Sequence, residues 1–393
     1  MSAGICGAKS FARKTSSPAM VSSRPIRPGG HCSRPTAIVY AEGFLGELDG
    51  KTANGLMRQS DKYRIEAVID STKAGFDAGL VLEGRMNGVP VCTGLDEALA
   101  AASAPPNAFI VGIAPSSGLL SAAHREVVLD ALKRGMNVVS GLHEFLGDDP
   151  VLAAAGRLAG ATITDIRKPP DKRDLHTYSG RILSVDCPRI AILGTDCAIG
   201  KRTTACLITQ ALNDAGIRAV MIATGQTGLI QGARYGIAMD AIPSQFCAGE
   251  LEAAVVEAYE AERPDVIIIE GQGALSHPAF STSASILRGC MPDGVVIQHA
   301  PHRQYRCDFP TMPMPSLVSE IKLIELFAST KVIGVTINHE SMTEPELAAE
   351  IARIKRDLDL PVTDPLTRSA DELVDMVGLA FPGIRQSASL VLE

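Results

Sequence analysis

Arg189-Ile-Ala-Ile-Leu-Gly-Thr-Asp-Cys-Ala-Ile-Gly-Lys-Arg-Thr-Thr204 is the stretch on which the fold of this 393-residue chain turns. It opens with Ile190–Leu193, an apolar run that is continuous rather than alternating, the pattern of a strand covered on both faces. Gly194 lets the chain leave that strand sharply, and Gly200 leaves room for an anion against the backbone. A helix is expected from Lys201, so its free amides and the positive end of its dipole point back at the loop. Lys201 adds a flexible cation for terminal phosphate oxygens. Strand, loop, lysine and helix coincide, which predicts a P-loop; the plain alternative is a tight strand–helix turn with a solvated lysine. The ligand-facing residues are then Gly194, Thr195, Asp196, Gly200, Lys201, Arg202, Thr203 and Thr204. Five residues separate the two glycines where the common P-loop has four, and Arg202 stands where Ser or Thr would hold Mg²⁺. The pattern speaks for an anion more strongly than for a Mg-nucleotide.

Working outward, further buried-strand runs follow at Ala219–Ala223, Val266–Ile269, Val295–Gln298 and Val332–Ile337. Helical patterns lie between and after them, at Lys201–Ala215, Glu250–Ala261, Pro315–Phe327 and Pro345–Leu358. Upstream, strand candidates at Ala37–Tyr40, Glu66–Asp70, Val89–Cys92, Ala108–Ile113, Asn137–Ser140 and Thr162–Ile166 alternate with helical stretches such as Ala122–Arg134 and Val151–Leu158. Such alternation predicts parallel sheets with helices on both faces. Between the two series, Arg167-Lys-Pro-Pro-Asp-Lys-Arg-Asp174 pairs prolines with dense charge, a linker signal. The expected organisation is a basic tail over 1–35, a first α/β domain over 36–170, a linker over 171–188 and a P-loop domain over 189–393.

The tail holds six Lys and Arg and no acid, is rich in Ser, Pro and Gly, and is expected to be disordered. Its composition has some transit-peptide character, but no amphipathic helix is visible, so the favoured expectation is a dispensable tail or a start codon placed too far upstream. Gly50-Lys51-Thr52 mimics the end of a P-loop, but Leu45 occupies the first glycine position, so a helix start or an interdomain contact is the expected role.

Asp265-Val-Ile-Ile-Ile-Glu-Gly-Gln-Gly273 ends a buried strand with Glu270, at the sheet edge where α/β folds bind ligands. Gly271 and Gly273 suit close ligand approach. Glu270 is a candidate base, metal holder or water-orienting group. Thr224-Gly225-Gln226-Thr227-Gly228 is expected at the same edge and suits phosphate or carboxylate. So are His277 in Ser276-His277-Pro278, and His299 and His302 in His-Ala-Pro-His-Arg303, where histidine is a natural proton carrier. Asp240 is a candidate second acid near the phosphates. His299 and His302 lack a third partner, so no metal site is expected.

Composition narrows the rest. Apolar residues make up 46% and charged residues 21%, with no Trp, which leaves no aromatic platform for nucleic acid. Net charge is −7 and no basic stripe is visible in the folded part, so nucleic acid is not an expected partner. No apolar run approaches the ~18 residues that span a bilayer, so no membrane partner is expected. Nine scattered Cys show no C-x-x-C pair, as in a reducing, cytoplasmic setting. A small-molecule substrate and a homo-oligomer are expected.

At these residues two resemblances emerge. Gly194-Thr-Asp196 with Gly200-Lys201, and Ile269-Glu-Gly-Gln-Gly273, are similar to the two motifs of dethiobiotin synthetase, within the P-loop branch that includes the MinD and ParA ATPases. The match departs at Arg202, where that family has its Mg²⁺-binding Thr. A second resemblance runs from Thr36 to Glu393. It is carried by Gly-Lys-Thr-Ala-Asn-Gly (50–55), Gly-Leu-His-Glu-Phe-Leu-Gly-Asp-Asp-Pro (141–150), Arg-Lys-Pro-Pro (167–170), the loop at 194–204, Ala-Thr-Gly-Gln-Thr-Gly (223–228) and Glu-Gly-Gln-Gly-Ala-Leu-Ser-His-Pro (270–278). On these the chain is identified as a member of a family long catalogued as a domain of unknown function, with a Rossmann-like N-terminal sheet and a doubly wound, P-loop NTPase-like C-terminal sheet. Arg202 fits that family's own pattern. Some members are described as DgcN-type D-glutamate N-acetyltransferases, acting beside an enolase-superfamily racemase in D-amino acid metabolism.

The resemblance implies acetyl transfer from acetyl-CoA to the amine of an acidic amino acid, D-glutamate in the described members. The loop would hold CoA phosphates without Mg²⁺, Glu270 or His277 would take the ammonium proton, and Arg202, Arg234 or Arg303 would pair with substrate carboxylates. The alternatives are an ATP- and Mg²⁺-dependent ligase or kinase, with Glu270 and Asp240 around the metal and Thr203 replacing the missing ligand, and a nucleotide-dependent switch of the MinD kind.

Overall fold

A computed structural model of the chain describes residues 34–115 and 117–384, which belong to one compact unit. The basic tail expected over 1–35 lies outside the described residues except for Arg34 and Pro35.

The first sheet contains β1 (Thr36–Tyr40), β2 (Arg64–Ile69), β3 (Val91–Cys92), β4 (Ala108–Val111), β5 (Asn137–Ser140) and β6 (Ile163–Asp165). All pairs are parallel and the order is β3-β2-β1-β4-β5-β6, so the chain reverses direction of travel between β1 and β4. This is a Rossmann-like sheet.

The second half holds β7 (Arg189–Gly194), β8 (Ala219–Ala223), β9 (Tyr235–Gly236), β10 (Val266–Glu270), β11 (Gly294–His299), a two-stranded ribbon of β12 (Tyr305–Arg306) and β13 (Phe309–Pro313), then β14 (Lys331–Ile337) and β15 (Val362–Thr363). Its main sheet is parallel, in the order β15-β14-β11-β7-β10-β8-β9. β7 therefore sits centrally between β11 and β10, and Glu270 lies level with Ile192 one strand away from the loop.

The continuous apolar run of β7 has a direct cause. Ile190 and Ile192 face the helix Lys201–Asp214 through Ala205, Ile208 and Leu212, while Ala191 and Leu193 face the helices Ser244–Glu262 and Thr282–Cys290 through Leu251, Val255 and Ile286. With both faces covered, each Ile or Leu contributes on the order of 1.5–3 kcal/mol by burial.

The segment 171–188 links the sheets through two single turns, Lys172–Asp174 and Arg181–Ser184. It is tied to the helix Ser244–Glu262, where Glu252 accepts from the backbone N–H of Ser179 at 2.6 Å and of Ile182 at 3.1 Å. Gly50-Lys51-Thr52 leads into the helix Lys51–Arg58, which packs on the short helix Gln226–Gln231 of the second half. The Thr52 and Thr227 hydroxyls meet at 3.0 Å, and the Gln231 amide donates to the Gly55 and Gln59 carbonyls at 2.8 and 2.9 Å. Among the described residues no helix is long and apolar enough to cross a membrane.

Candidate active site

The loop after β7 is held by long-range contacts. Gly194 is required because a Cβ there would lie 2.9 Å from the Gln298 carbonyl, and Gly200 adopts φ +100°, which favours glycine. Arg303 reaches in from beyond β11. It donates to the loop carbonyls of Cys197 at 2.8 Å and Ala198 at 3.2 Å, to Asp196 Oδ2 at 3.1 Å, and to Glu340 through Nε and Nη2. It is thus a strut of the loop, not a free partner for substrate. The Thr195 hydroxyl lies 3.0 Å from His299 Nδ1, and Thr204 donates to Gln298 at 2.6 Å, so both threonines are structural. Burial drops His299 to about 4, so that ring is neutral near pH 7. His302 faces the Ser341 carbonyl at 2.8 Å.

Lys201 is almost wholly buried and its ammonium donates to the Asp196 carbonyl. Burial pushes its pKa down, opposed by Cys197, Asp196 and Glu270, so Lys201 stands at the centre of one electrostatic cluster. Glu270 is buried at the end of β10. Its Oε2 accepts from the Thr224 N–H at 2.9 Å, and the Gly225 N–H also donates to the carboxylate. Burial raises its pKa, opposed most by Arg202 and then by these two amides and Lys201. Gly228 is needed because a Cβ there would lie 3.0 Å from Oε2.

Arg202 makes no hydrogen bond or ion pair to a described residue. Its guanidinium lies under Gly55 of the first half, where a Cβ would come within 2.6 Å of Nη2. The carboxylate that acts on it most strongly is Glu270. The site therefore carries an uncommitted fork beside a buried carboxylate, with a lysine and a glycine-bounded loop next to both.

Other expected residues are engaged elsewhere. Asp240, anticipated as a second acid near the phosphates, is gripped by Arg167 through Nε at 3.0 Å and Nη2 at 2.7 Å. Arg167 also donates to the Gly141 carbonyl and to Gln226 at 2.9 Å, so it fastens the first sheet to the second. Gln226 and Thr227 are spent on that junction rather than turned to an anion. Arg234 pairs with Glu262, away from the loop. His277 is buried; its Nδ1 accepts from the Ala279 N–H at 3.2 Å, and Nε2 lies 3.8 Å from Asp196 Oδ1. An Nδ1 that accepts leaves the proton on Nε2, so neutral His277 offers Asp196 a donor and not a basic lone pair. Burial, then Arg306, holds its pKa below the ordinary value. Arg167 and Arg306 were not singled out as side chains in the sequence, though Arg167 lies in a quoted motif.

A two-domain α/β protein with a P-loop whose lysine is followed by arginine is thereby defined, and comparison gives the family. Residues 71–169 match a Rossmann-like domain of unknown function, DUF1611_N, and residues 176–374 match the P-loop domain of unknown function DUF1611_C. The chain belongs to the DUF1611 family. It is 32% identical over 293 residues to a D-glutamate N-acetyltransferase of Tritonibacter scottomollicae, covering 72% of this chain and 83% of that protein. It is 32% identical over 340 residues to a D-glutamate N-acetyltransferase of a Pseudoalteromonas species, covering 84% and 96%. The crystal structure of a DUF1611 family protein from Anabaena variabilis superposes with a TM-score of 0.81 at 32% identity, over 88% of this chain and all of that one.

Proposed function

We propose that this protein is an N-acetyltransferase that moves the acetyl group of acetyl-CoA to the amine of an acidic amino acid, D-glutamate first among candidates. The observation that carries the reading is the pair formed by Arg202, without a hydrogen-bonding partner, and buried Glu270, in a P-loop of a chain 32% identical to two D-glutamate N-acetyltransferases. Lys201, the loop amides and Arg202 take the CoA phosphates, which need a cradle and cations but no metal. Glu270, its pKa raised by burial, takes a proton from the substrate ammonium. The amine nitrogen then attacks the thioester carbonyl. The tetrahedral adduct collapses, the C–S bond breaks, and the CoA thiolate leaves and is protonated.

The Mg-nucleotide alternative finds fewer partners. The position after the lysine carries a guanidinium, the Thr204 hydroxyl is bound to Gln298, and Asp240 is bound to Arg167. Acetyl transfer to D-glutamate should proceed in excess EDTA, followed by release of free CoA thiol. Turnover that requires Mg²⁺ and ATP, with no thiol released from acetyl-CoA, would replace this reading with the ligase.

A further inference from the structure

Three buried polar atoms near the loop lack a hydrogen-bond partner in a region where such partners are the rule: Asp196 Oδ1, His277 Nε2 and Arg306 Nη1. They are neighbours through the chain that supports them. Arg306 Nη2 donates to the Ser276 hydroxyl at 2.9 Å, one residue from His277, and the next amide along, Cys307 N, donates to Asp196 Oδ2 at 2.7 Å. The β12–β13 ribbon thus touches both sides of the Asp196–His277 pair, whose Oδ1 and Nε2 lie 3.8 Å apart. The rings of Phe280 and Phe309 flank His277 at 4.8 and 5.5 Å between centroids, so the imidazole is packed among apolar groups. In such surroundings each unmade hydrogen bond is costly, most of all on charged groups.

Asp196, Cys197 and His277 offer ligand atoms within 4.8 Å of one another, which invites a metal reading. Two arguments oppose it. The Ala279 N–H on Nδ1 leaves Nε2 protonated, whereas a ligating imidazole needs its lone pair there and normally donates from the other nitrogen. Arg303 is bonded to Asp196 Oδ2, and Lys201 and Arg306 act on His277 against Asp196 and Asp308, so the one carboxylate of the three is already shared with a guanidinium. What the cluster presents is two donors, one of them a guanidinium, beside one free carboxylate oxygen. That set complements a group carrying a carboxylate and an amine together.

Resting on the acyl-transfer reading above, we propose that Asp196 Oδ1, His277 Nε2 and Arg306 Nη1 form the subsite for the α-amino acid head of the acceptor. Arg306 and His277 donate to its carboxylate. Asp196 accepts from its nitrogen and turns that nitrogen toward the acetyl group. Arg306 is the discriminating residue, because its fork cannot be replaced by a point charge.

The test is direct binding and steady-state kinetics on the full chain. Wild type is titrated calorimetrically with D-glutamate, with glutarate, which lacks the amine, and with 4-aminobutyrate, which lacks the α-carboxylate; both analogues should bind more weakly. Arg306→Met should raise Kd and KM for D-glutamate about tenfold to a hundredfold, the worth of one charge-assisted bond, and leave acetyl-CoA affinity unchanged. Arg306→Lys serves if the Met variant does not fold, with a smaller loss in the same direction. Unchanged D-glutamate affinity in a folded variant, or a loss confined to acetyl-CoA, overturns the subsite. A wild type that binds D-glutamate through Arg306 yet transfers no acetyl group keeps the subsite and sinks the acyl-transfer reading.

Discussion

Replacing Glu270 with Gln separates proton acceptance from architecture. Glu270 Oε2 accepts the Thr224 N–H at 2.9 Å, and an amide oxygen in its place can take that bond. The end of β10 and the Thr224–Gly228 loop should therefore stay joined. What is lost is the basic lone pair, and general-base catalysis is worth roughly 10²–10⁴ in rate, so kcat for acetyl transfer should fall by about that factor with little change in acetyl-CoA affinity. The pH profile carries a second signature. Burial lifts Glu270 above its ordinary range, and the base works deprotonated, so wild-type kcat is lost as pH falls through that raised value. The Gln variant should lack this acid limb. Stability has the opposite sense. A carboxyl with a raised folded pKa favours folding fully below its unfolded value of ~4.3 and loses that contribution as pH rises through the folded value. The Tm difference between variant and wild type should thus move in the variant's favour from acid to neutral pH. A thiol-release assay and thermal melts across pH measure both. A kcat within a few-fold of wild type, or an intact acid limb, refutes Glu270 as the base.

Arg202→Thr restores the lysine–threonine pair of a Mg-nucleotide loop, yet should weaken acetyl-CoA binding about tenfold or more, since a charged contact of roughly 1.5–3 kcal/mol is lost; unchanged acetyl-CoA affinity with tighter Mg-ATP binding by calorimetry would favour the ligase. Gly55→Ala should change Tm little, because the ~1 kcal/mol that Ala gains over Gly in a helix offsets the displacement of the Arg202 fork, 2.6 Å from the new Cβ, and of the buried Thr227 methyl at 3.0 Å. Its KM for acetyl-CoA should nevertheless rise, and an unaltered KM would show that the position of Arg202 is not critical.

Sequence reading reached what is encoded locally. Ile190–Leu193 announced β7 because both its faces are covered, Gly194 and Gly200 marked the loop because a Cβ would crowd the first and the second holds φ +100°, and Glu270 stood out as a carboxylate closing an apolar strand. It could not see pairings whose partners lie far apart. Arg303 braces carbonyls 105 and 106 positions earlier, and Arg167 meets Asp240 across 73 positions. No spacing rule links such residues, so Arg303 looked free for substrate and Asp240 looked free for the site. Arg306 was missed for a related reason: it sits in a two-residue strand, too short for any periodicity.

The loop Thr224–Gly228 shows how local chemistry can mislead about purpose while pointing to the right place. Its glycines and threonines resemble an anion cradle, but Gln226 accepts from Arg167 and Thr227 meets Thr52, both from the Rossmann-like half. The backbone amides of Thr224 and Gly225 meanwhile hold Glu270. One loop thus joins the two sheets at its side chains and orients the buried carboxylate at its amides. The same junction brings Gly55 over Arg202. A change in how the first sheet docks must therefore shift Glu270 and Arg202 together. On this geometry the docking of the Rossmann-like half bears on the positions of both the buried carboxylate and the guanidinium.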